Sequence, residues 1–418
     1  MKIFLPDYFY LIFFISFNFH KKTLIYSQSC ILYPVEPIFL GGGKVNMRRK
    51  IIGIFVCTLM IIPCSIPVLG ESITLLNEDN HVQKNYHDLY QNIDDTVRSV
   101  AEFESVDELI ITWSVGWIEI QQYFIDIIQA AEDAVHIRIN IDNEMQKTWL
   151  ISDLTTAGVS LDNITITCIP TDTFWCRDYG PFFVEKNDEL AIVDFSYVGW
   201  LMRPIDNLYP TLYGRINNID SRFYTNFLLC LQGGNYMTDG NGRAMIADGP
   251  LHRRFLNRFL TNEEIIDILK SNLGLDEVYI FKSQKDDGTG HIDMYSKLLD
   301  ENTVLVGAWD STDVNYQILE DNAINFSKLG LQVIRIPMLR NSSSDYPIVW
   351  SYTNSLIING THKKVVLVPQ YHVSEDAVAL SIYQQAMPDY EIRGIDCRII
   401  IPLGGAIHCT TMTRPVIE

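Results

Sequence analysis

The sequence predicts an α/β fold assembled from about five repeats arranged in a ring or a stack. Hairpins of two apolar strands, joined by a turn rich in Asp, Asn and Gly, recur along the chain. Amphipathic helices, each followed by a further strand, separate the later hairpins. Alignment of the return strands on Ala191, Ala244, Val304 and Val365 gives spacings of 53, 60 and 61 residues. A period of this length is typical of radial or stacked repetition and disfavours a doubly wound sheet.

Hydrophobic periodicity predicts the individual elements. Short apolar or alternating runs predict strands, and apolar residues at helical spacing predict helices. The chain begins with expected strands at 108–113, 135–141 and 163–170 and helices at 118–131 and 144–157. The hairpins follow at 182–195, 235–247, 297–308 and 356–370, with helices at 262–272, 313–329 and 375–386 and further strands at 278–282, 332–337 and 392–401.

Polar residues hold the same position in successive repeats. Asp178 and His291 each lie 13 residues before the alignment position of their repeat, and Asp293 and Asn354 each lie 11 residues before theirs. Equivalent positions in a closed ring of repeats face one axis. We therefore expect these side chains to converge there, together with Cys409 from the last apolar stretch.

Cys409 is the candidate nucleophile, since glycines, a histidine and hydroxyl residues surround it in a setting that suits an activated thiolate. Two carboxylates nearby would repel a thiolate unless the ligand carries positive charge. A guanidinium is planar, permanently charged and forks onto carboxylates. Asp178 and Asp293 can each bind one edge of it, and Cys409 can attack its central carbon. His291 can protonate the departing nitrogen and later activate water, and Trp175 can cover the cation.

Simpler interpretations remain open for each residue alone. A lone cysteine is more often a small buried residue than a nucleophile. Arg177 and Asp178 can form a structural ion pair. His291 and Asp293 can bind a metal, although no third ligand stands near them in sequence. Asn354 can be a hydrogen-bonding residue at a strand end. The Gly-Gly-Asn loop at 233–235 lacks the residues of a phosphate-binding loop.

Four segments, in this order, carry a resemblance to a known family. They are 175–181 (WCRDYGP), 233–235 (GGN), 291–297 (HIDMYSK) and 404–409 (GGAIHC). Together they closely resemble the bacterial-type peptidylarginine deiminases and agmatine deiminases, within the superfamily of guanidino-group-modifying enzymes. The resemblance extends from about residue 108 to residue 415.

The resemblance implies a five-bladed α/β propeller (pentein type) of pseudo-fivefold ββαβ repeats. It implies a hydrolase that acts on the C–N bonds of linear amidines through a covalent thiouronium intermediate, without a metal or another cofactor. Cys409 matches the nucleophile, His291 the general acid and base, and Asp178 and Asp293 the guanidinium-binding carboxylates. Asn354 matches an active-site asparagine.

The segment 203–210 (RPIDNLYP) bears on whether the chain resembles the peptidyl-arginine or the agmatine branch of the family. It resembles the peptidyl branch, which uses an arginine at the position of Arg203 to hold a substrate carboxylate. A second arginine of that branch is replaced here by Leu201. Conversion of peptidyl-arginine to citrulline and ammonia is therefore the first expectation, and deimination of agmatine to N-carbamoylputrescine the second. Amidino transfer to an amine and non-catalytic binding of arginine are further alternatives.

The N-terminus predicts export. A basic stretch follows Met47, an apolar run extends to residue 62, and small residues end at Gly70, as in a secretory signal peptide. Pro63 and Pro67 interrupt the apolar run, so we expect no stable membrane span after cleavage. We expect residues 1–46 to be an upstream extension of the gene model, 47–70 the signal peptide, 71–105 a lead-in segment and 106–418 the catalytic domain. A secreted location favours a protein, a peptide or scavenged arginine as substrate.

Charge and cysteine content limit the partners. The formal net charge of −19 disfavours nucleic acid and attracts cationic substrates. The expected partner is an arginine-containing peptide or a small guanidino compound, and the oligomeric state is open. Five cysteines follow residue 70, an odd number, so at least one thiol stays free even in an oxidising compartment.

Overall fold

A computed structural model describes residues 96–113, 118–197, 203–223, 229–251, 257–341 and 348–417, together with two short strands near the N-terminus. The chain divides into two compact units, residues 1–78 and 79–418. In the first unit, β1 (Phe13–Ser16) pairs antiparallel with β2 (Ser27–Cys30). The predicted signal peptide, the rest of the predicted extension and residues 71–95 lie outside the described residues.

The second unit contains the remaining elements. Its strands are β3 (Val97–Ser99), β4 (Ser105–Thr112), β5 (His136–Ile141), β6 (Ile164–Cys168), β7 (Phe182–Lys186), β8 (Glu189–Asp194), β9 (Asp220–Phe223), β10 (Met237–Thr238), β11 (Arg243–Ala247), β12 (Glu277–Phe281), β13 (Ser296–Leu298), β14 (Thr303–Ala308), β15 (Gln332–Asn341), β16 (Ile348–Ser351), β17 (Leu356–Gly360), β18 (Lys364–Gln370), β19 (Glu391–Asp396) and β20 (Thr411–Pro415). Its helices are α1 (Ile118–Ala131), α2 (Glu144–Thr156), α3 (Cys176–Tyr179), α4 (Tyr209–Asn217), α5 (Asp248–Leu251), α6 (Asn262–Leu273), α7 (Tyr316–Lys328) and α8 (Glu375–Ala386).

Within the described ranges, five groups of strands share one topology. An antiparallel pair is followed by a helix that crosses over to a parallel third strand, as in β7-β8-α4-β9. The same order recurs in β10-β11-α6-β12, β13-β14-α7-β15 and β17-β18-α8-β19. The fifth group combines both ends of the described second unit, because β20 pairs antiparallel with β4 and β4 pairs parallel with β5. The α/β class is confirmed, and this topology agrees with the predicted five repeats.

Local sequence explains how the repeats are delimited. The turn between β7 and β8 places Asn187 and Asp188 at φ of 52° and 64°, a conformation that short polar residues tolerate in tight hairpins. Helix α6 begins with a capping box, in which Thr261 and Glu264 exchange side-chain and backbone hydrogen bonds. It ends at Gly274, whose φ of 62° favours glycine. These turn and capping residues determine where the elements begin and end.

Most predicted elements agree with the structure, and helices α1 and α8 have the predicted bounds. The predicted strand at 392–401 is wrong beyond Asp396. The chain turns at Cys397 and forms a 3-10 turn at Ile401–Leu403 before Gly404. Helix α4 and strand β9 were not predicted. Residues of the expected lead-in form β3, which pairs with β7, and the start of β4.

Apolar faces of the helices are buried against the sheets. Phe124 and Ile128 of α1 and Tyr383 of α8 are fully buried in the largest hydrophobic cluster, together with Leu367 of β18. Burial of this kind supplies most of the stability of a helix in a globular protein. None of the helices in the described ranges is long and apolar enough to cross a membrane.

Candidate active site

The candidate site is built from equivalent positions of the five groups. A short helical turn or bend immediately precedes the first strand of each group. In chain order these segments are Cys176–Tyr179, Gly233–Asn235, Ile292–Met294, residues 352–354 and His408–Thr410. They precede β7, β10, β13, β17 and β20, and they contain or adjoin the predicted polar residues. The shared phase observed in the sequence therefore corresponds to one repeated place in the fold.

A pocket of about 720 Å³ gives access to these turns. Cys409, Asp178 and Trp175 line it, together with Arg203 and residues of the loop that follows β12. The predicted nucleophile, one predicted carboxylate and two predicted substrate-binding residues thus share one cavity. A pocket of this size accommodates a small organic ligand or an extended side chain.

Cys409 is held by Asn354 at the bottom of the pocket. The Asn354 amide Nδ2 donates to the Cys409 Sγ at 3.1 Å, and Asn354 Oδ1 accepts from the Ala406 backbone N–H at 2.9 Å. The thiol is 2% exposed and lies 3.6 Å from Asp293 Oδ2. Burial raises the pKa of Cys409 well above its usual value, and the charges of Asp293 and Asp178 raise it further. Burial and the two carboxylates therefore favour a neutral thiol, and a cation bound beside them would favour the thiolate.

Gly234 marks the point where the polar side chains converge. A Cβ atom added there would lie 2.6 Å from His291 Nδ1 and 3.0 Å from both Asp178 Oδ1 and Asp293 Oδ2. The backbone of the Gly-Gly-Asn loop therefore fills the space among these three side chains, and no other residue type fits without a shift. The structure brings Asp178, His291 and Asp293 together, and Asp293 connects them to Cys409.

Hydrogen bonds fix the orientation of the His291 ring. Its Nε2 contacts the side-chain oxygen of Gln232, and because an amide oxygen only accepts, Nε2 carries a proton. Its Nδ1 lies 3.5 Å from Asp178 Oδ1 and has no hydrogen-bond partner, although it is buried. Nδ1 is therefore the nitrogen available for proton transfer. Gln232 was not predicted, because a single glutamine before a glycine pair carries no pattern of its own.

Asp178 and Asp293 present buried oxygens without donors. Asp178 Oδ1 and Asp293 Oδ1 both lack a hydrogen-bond partner, which is costly for buried carboxylates. Burial and the charge of Asp293 raise the pKa of Asp178, although His291 lowers it. Burial also acts to raise the pKa of Asp293, but the hydrogen bond and charge of His408 outweigh it, so this pKa is lowered. A guanidinium would supply donors to both free oxygens.

A buried polar network behind Asp293 was also missed. His408 Nδ1 lies 2.7 Å from Asp293 Oδ2, and His408 Nε2 lies 2.6 Å from Glu102 Oε2. Glu102 also contacts the Lys297 ammonium, whose other acceptor is the Ser355 carbonyl. His408 and Lys297 lie within two of the four segments that carry the family resemblance, 404–409 and 291–297. The sequence therefore contained evidence that could have identified them. Glu102 lies in the expected lead-in, where nothing distinguished it from other acidic residues.

Trp175 and Arg203, two of the predicted substrate-binding residues, line the pocket, whereas Asn354 is buried behind Cys409. Trp175 packs against Phe174 with ring centroids 4.7 Å apart, and its ring edge lies beside Gly405. Arg203 Nη1 lies 3.3 Å from the Tyr197 hydroxyl and 3.5 Å from the Thr173 hydroxyl. Among the described residues, no carboxylate pairs with Arg203.

Two alternative interpretations find no support in the described part of the chain. Arg177 does not pair with Asp178: its Nε donates to the Thr411 carbonyl at 3.0 Å, and its Nη2 lies 3.6 Å from Glu102. The described residues contain no group of three or more His, Cys, Asp or Glu side chains placed to hold a metal ion. Cys168, Cys176, Cys397 and Cys409 are free thiols.

Fold and site together define a class of protein. Five repeated groups bring a cysteine, a histidine and two carboxylates together, and the cysteine and one of the carboxylates line a pocket. This is the arrangement of an enzyme that modifies guanidino groups.

Comparison with known proteins identifies the family. The profile of the Porphyromonas-type peptidyl-arginine deiminases matches residues 79–415, and the chain belongs to this family. It is 29% identical to the agmatine deiminase of Ectopseudomonas mendocina (strain ymp) over 61% of this chain and 77% of that protein. The crystal structure of the putative arginine deiminase from Porphyromonas gingivalis is 26% identical, with a TM-score of 0.67 over 77% of this chain and 98% of that one. A substrate-bound agmatine deiminase of C. jejuni, 20% identical, has the same fold, with a TM-score of 0.69 over 79% of this chain and 98% of that one.

The family membership gives the reaction class. The chain is a hydrolase that acts on the C–N bonds of linear amidines and a deiminase of guanidino groups.

Proposed function

We propose that the chain deiminates arginine that carries a free carboxylate, above all the C-terminal arginine of peptides, and releases citrulline and ammonia. The observation that supports this substrate is Arg203. Its guanidinium lines the same pocket as Asp178 and Cys409 and has no carboxylate partner among the described residues. A guanidinium without a carboxylate partner in the same pocket as a guanidinium-binding carboxylate suits a substrate that is cationic at one end and anionic at the other.

The reaction begins when the substrate guanidinium binds the free oxygens of Asp178 and Asp293. Its positive charge offsets the two carboxylates that otherwise oppose ionisation of Cys409. The thiolate, which accepts a hydrogen bond from Asn354, attacks the guanidinium carbon and forms a tetrahedral adduct. His291 Nδ1 protonates one terminal nitrogen, the C–N bond breaks, and ammonia leaves a thiouronium on Cys409.

Hydrolysis completes the cycle. His291 Nδ1, now neutral, takes a proton from water, and the oxygen attacks the thiouronium carbon. The second tetrahedral adduct collapses with cleavage of the C–S bond, which regenerates the thiolate. Its hydroxyl proton is lost to solvent, and a neutral ureido group remains on the product. The proton on His291 is then available for the next turnover. The reaction consumes one water and releases one ammonia, and it requires no metal or redox step.

Agmatine is the second candidate, and a different observation favours it. Asp286 and Asp287 line the same pocket, and Asp287 Oδ2 is buried without a hydrogen-bond partner. Burial raises the pKa of Asp287, so a cationic amine beside it would stabilise its charged form. The Ectopseudomonas mendocina relative is named an agmatine deiminase.

Substrate comparison tests the assignment. Ammonia release is measured with agmatine, free arginine, a peptide ending in arginine, its C-terminal amide and a peptide with internal arginine. We expect the free C-terminal peptide to have the highest kcat/KM. Arg203→Ala should lower kcat/KM for that peptide by about 10- to 100-fold, since a charged hydrogen bond is lost, and should leave agmatine nearly unchanged. Equal losses for both substrates would contradict the role of Arg203.

The matched variant lies on the other side of the pocket. Asp287→Asn should lower kcat/KM for agmatine and leave the C-terminal peptide nearly unchanged. If instead the wild-type protein prefers agmatine over every arginine substrate, the second candidate replaces the first.

We also propose that translation begins at Met47 and that the chain is secreted after cleavage at Gly70. The basic, apolar and small-residue segments in this order support the proposal. Mass spectrometry of the protein from culture medium should find an N-terminus at Glu71. A peptide from residues 1–46 in the expressed protein would contradict the start at Met47.

A further inference from the structure

His408 lies between two carboxylates, and both of its ring nitrogens contact one. Nδ1 is 2.7 Å from Asp293 Oδ2, and Nε2 is 2.6 Å from Glu102 Oε2. The side chains of His408 and Asp293 are 4% and 1% exposed. Contacts this short between a nitrogen and an oxygen each require a proton between the two atoms. Two protons must therefore be placed among the imidazole and the two acids.

The surrounding charges decide where these protons lie. Glu102 also faces the Lys297 ammonium and the Arg177 guanidinium. Burial acts to raise the pKa of Glu102, but Lys297 and His408 outweigh it and hold this pKa well below its usual value. The pKa of Asp293 is lowered as well, chiefly because His408 outweighs burial. When both acids are ionised their oxygens only accept, and both protons then belong to the imidazole.

We propose that His408 is a positioning residue, held as an imidazolium between Asp293 and Glu102, that keeps Asp293 ionised and oriented for the substrate guanidinium. The imidazolium occupies Asp293 Oδ2 and leaves Oδ1, which has no partner, free to bind substrate. This role in catalysis rests on the proposed deimination, whereas the charge state of His408 does not.

An imidazolium at His408 would also offset the negative charge of Asp293 beside the Cys409 thiol. Asp293 lies 3.6 Å from the thiol that must ionise, and an uncompensated carboxylate there would oppose the thiolate. A cation on His408, which contacts the same Asp293 oxygen that faces the thiol, reduces this opposition and leaves Asp293 Oδ1 without a partner. Asp178 has no such partner, since the group facing its free oxygen is His291 Nδ1 at 3.5 Å. The two guanidinium-binding carboxylates thus differ in how their charge is maintained.

Nitrogen NMR of the wild-type protein with labelled histidine tests the charge state. At the pH of the activity assay we expect a histidine whose two ring nitrogens are both protonated and both hydrogen-bonded. His408→Gln should remove this signal. Glu102→Gln, which keeps the imidazole and removes one carboxylate, provides a second assignment if His408→Gln does not fold. Neutral imidazole signals for all histidines at this pH would overturn the proposal.

The pH dependence of kcat/KM tests the positioning role. Loss of His408 removes the main cause that lowers the pKa of Asp293, so this pKa should rise. As the solution is acidified, Asp293 of the variant would be protonated at a higher pH than Asp293 of the wild-type protein. Activity would therefore be lost at a higher pH as well. For His408→Gln we expect a 10- to 100-fold loss in kcat/KM, on the order of one lost charged hydrogen bond, together with an acid limb displaced to higher pH. A loss that is equal at every pH would indicate a structural role alone and overturn the proposal.

Two controls separate the possible outcomes. His372→Gln removes an exposed imidazole that lies 3.5 Å from Asp396 outside the site, and should leave the profile unchanged. Binding of agmatine and of an arginine-terminated peptide to Cys409→Ala, with and without His408→Gln, is measured by calorimetry over the same pH range. The same displacement of the acid limb in binding supports the proposal without any turnover. If the wild-type protein deiminates neither substrate, the proposed function fails, and the NMR result still decides the charge state of His408.

Discussion

The two ends of the substrate pocket are constructed differently. At the buried end, helical turns that lead directly into strands carry the reactive groups, and Cys409 and Asp293 are each fixed by neighbours from other repeats. The outer end comprises Arg203 and the loop between β12 and β13. Asp286 and Gly288 are exposed there and Arg203 contacts only hydroxyl groups among the described residues, whereas Asp287 Oδ2 is buried. Loops tolerate change more readily than the turns that begin core strands. We therefore expect the buried end to determine the reaction and the outer end to determine which guanidine is accepted.

Cys409→Ala should abolish the reaction at the buried end and has the largest effect that we predict. Without the sulfur no covalent intermediate can form, and ammonia release should fall by about 10⁴-fold or more for every substrate. Binding should persist, because Asp178 and Asp293 remain. Ammonia assays and calorimetry measure the two effects.

Cys397 provides the matched control for this variant. It is also fully buried, but it packs in the hydrophobic core between β19 and the turn that follows. Cys397→Ala should lower stability modestly and leave turnover per folded molecule unchanged. Substantial deimination by Cys409→Ala would refute the assignment of the nucleophile.

Gly234→Ala should have the next largest effect. The added methyl would lie 2.6 Å from His291 Nδ1, so the ring or the loop must move. Displacement of a group that transfers protons costs on the order of 10²-fold in kcat. The loss should be similar for agmatine and for an arginine-terminated peptide, because both react at the same buried end. Steady-state kinetics with both substrates measure it.

Gly288→Ala is the control at the outer end of the same pocket. A Cβ atom at Gly288 would meet nothing within 4 Å. We expect kcat to stay within about twofold of wild type, as for most changes that create no clash. Equal losses of kcat in Gly234→Ala and Gly288→Ala would contradict the distinction between the two ends of the pocket.

The repeat preserves phase along the sequence, and this shared phase predicts that Asp178, His291, Asp293, Asn354 and Cys409 lie together. Hydrophobic period and turn residues locate the start of each strand, and equivalent starts meet at one place in the fold. Their positions at the site agree with this prediction. Their catalytic roles stay predictions until variants are assayed.

Other features depend on contacts between distant segments and left no local signal. Glu102 becomes part of the site through Lys297 and His408, which are far along the chain. Helix α4 was missed because Pro210 and Gly214 within it lower its intrinsic helix propensity. The strand β19 ends earlier than its apolar run, since the chain must turn there to reach Cys409.

The smallest effect we predict is a change with pH in the preference for agmatine over an arginine-terminated peptide, which distinguishes the two ends of the pocket. Burial raises the pKa of Asp178 and the pKa of Asp287. As pH falls through the raised pKa of Asp178, guanidinium binding weakens for every substrate, at higher pH than for an ordinary aspartate. As pH falls through the raised pKa of Asp287, agmatine alone loses a partner for its amine. The ratio of kcat/KM for agmatine to that for an arginine-terminated peptide should therefore decline by a few fold on acidification, on the order of one weak ion pair. In Asp287→Asn this ratio should be independent of pH. A constant ratio in the wild-type protein would show that Asp287 does not face the substrate amine, and the choice between substrates at the outer end would then rest on Arg203.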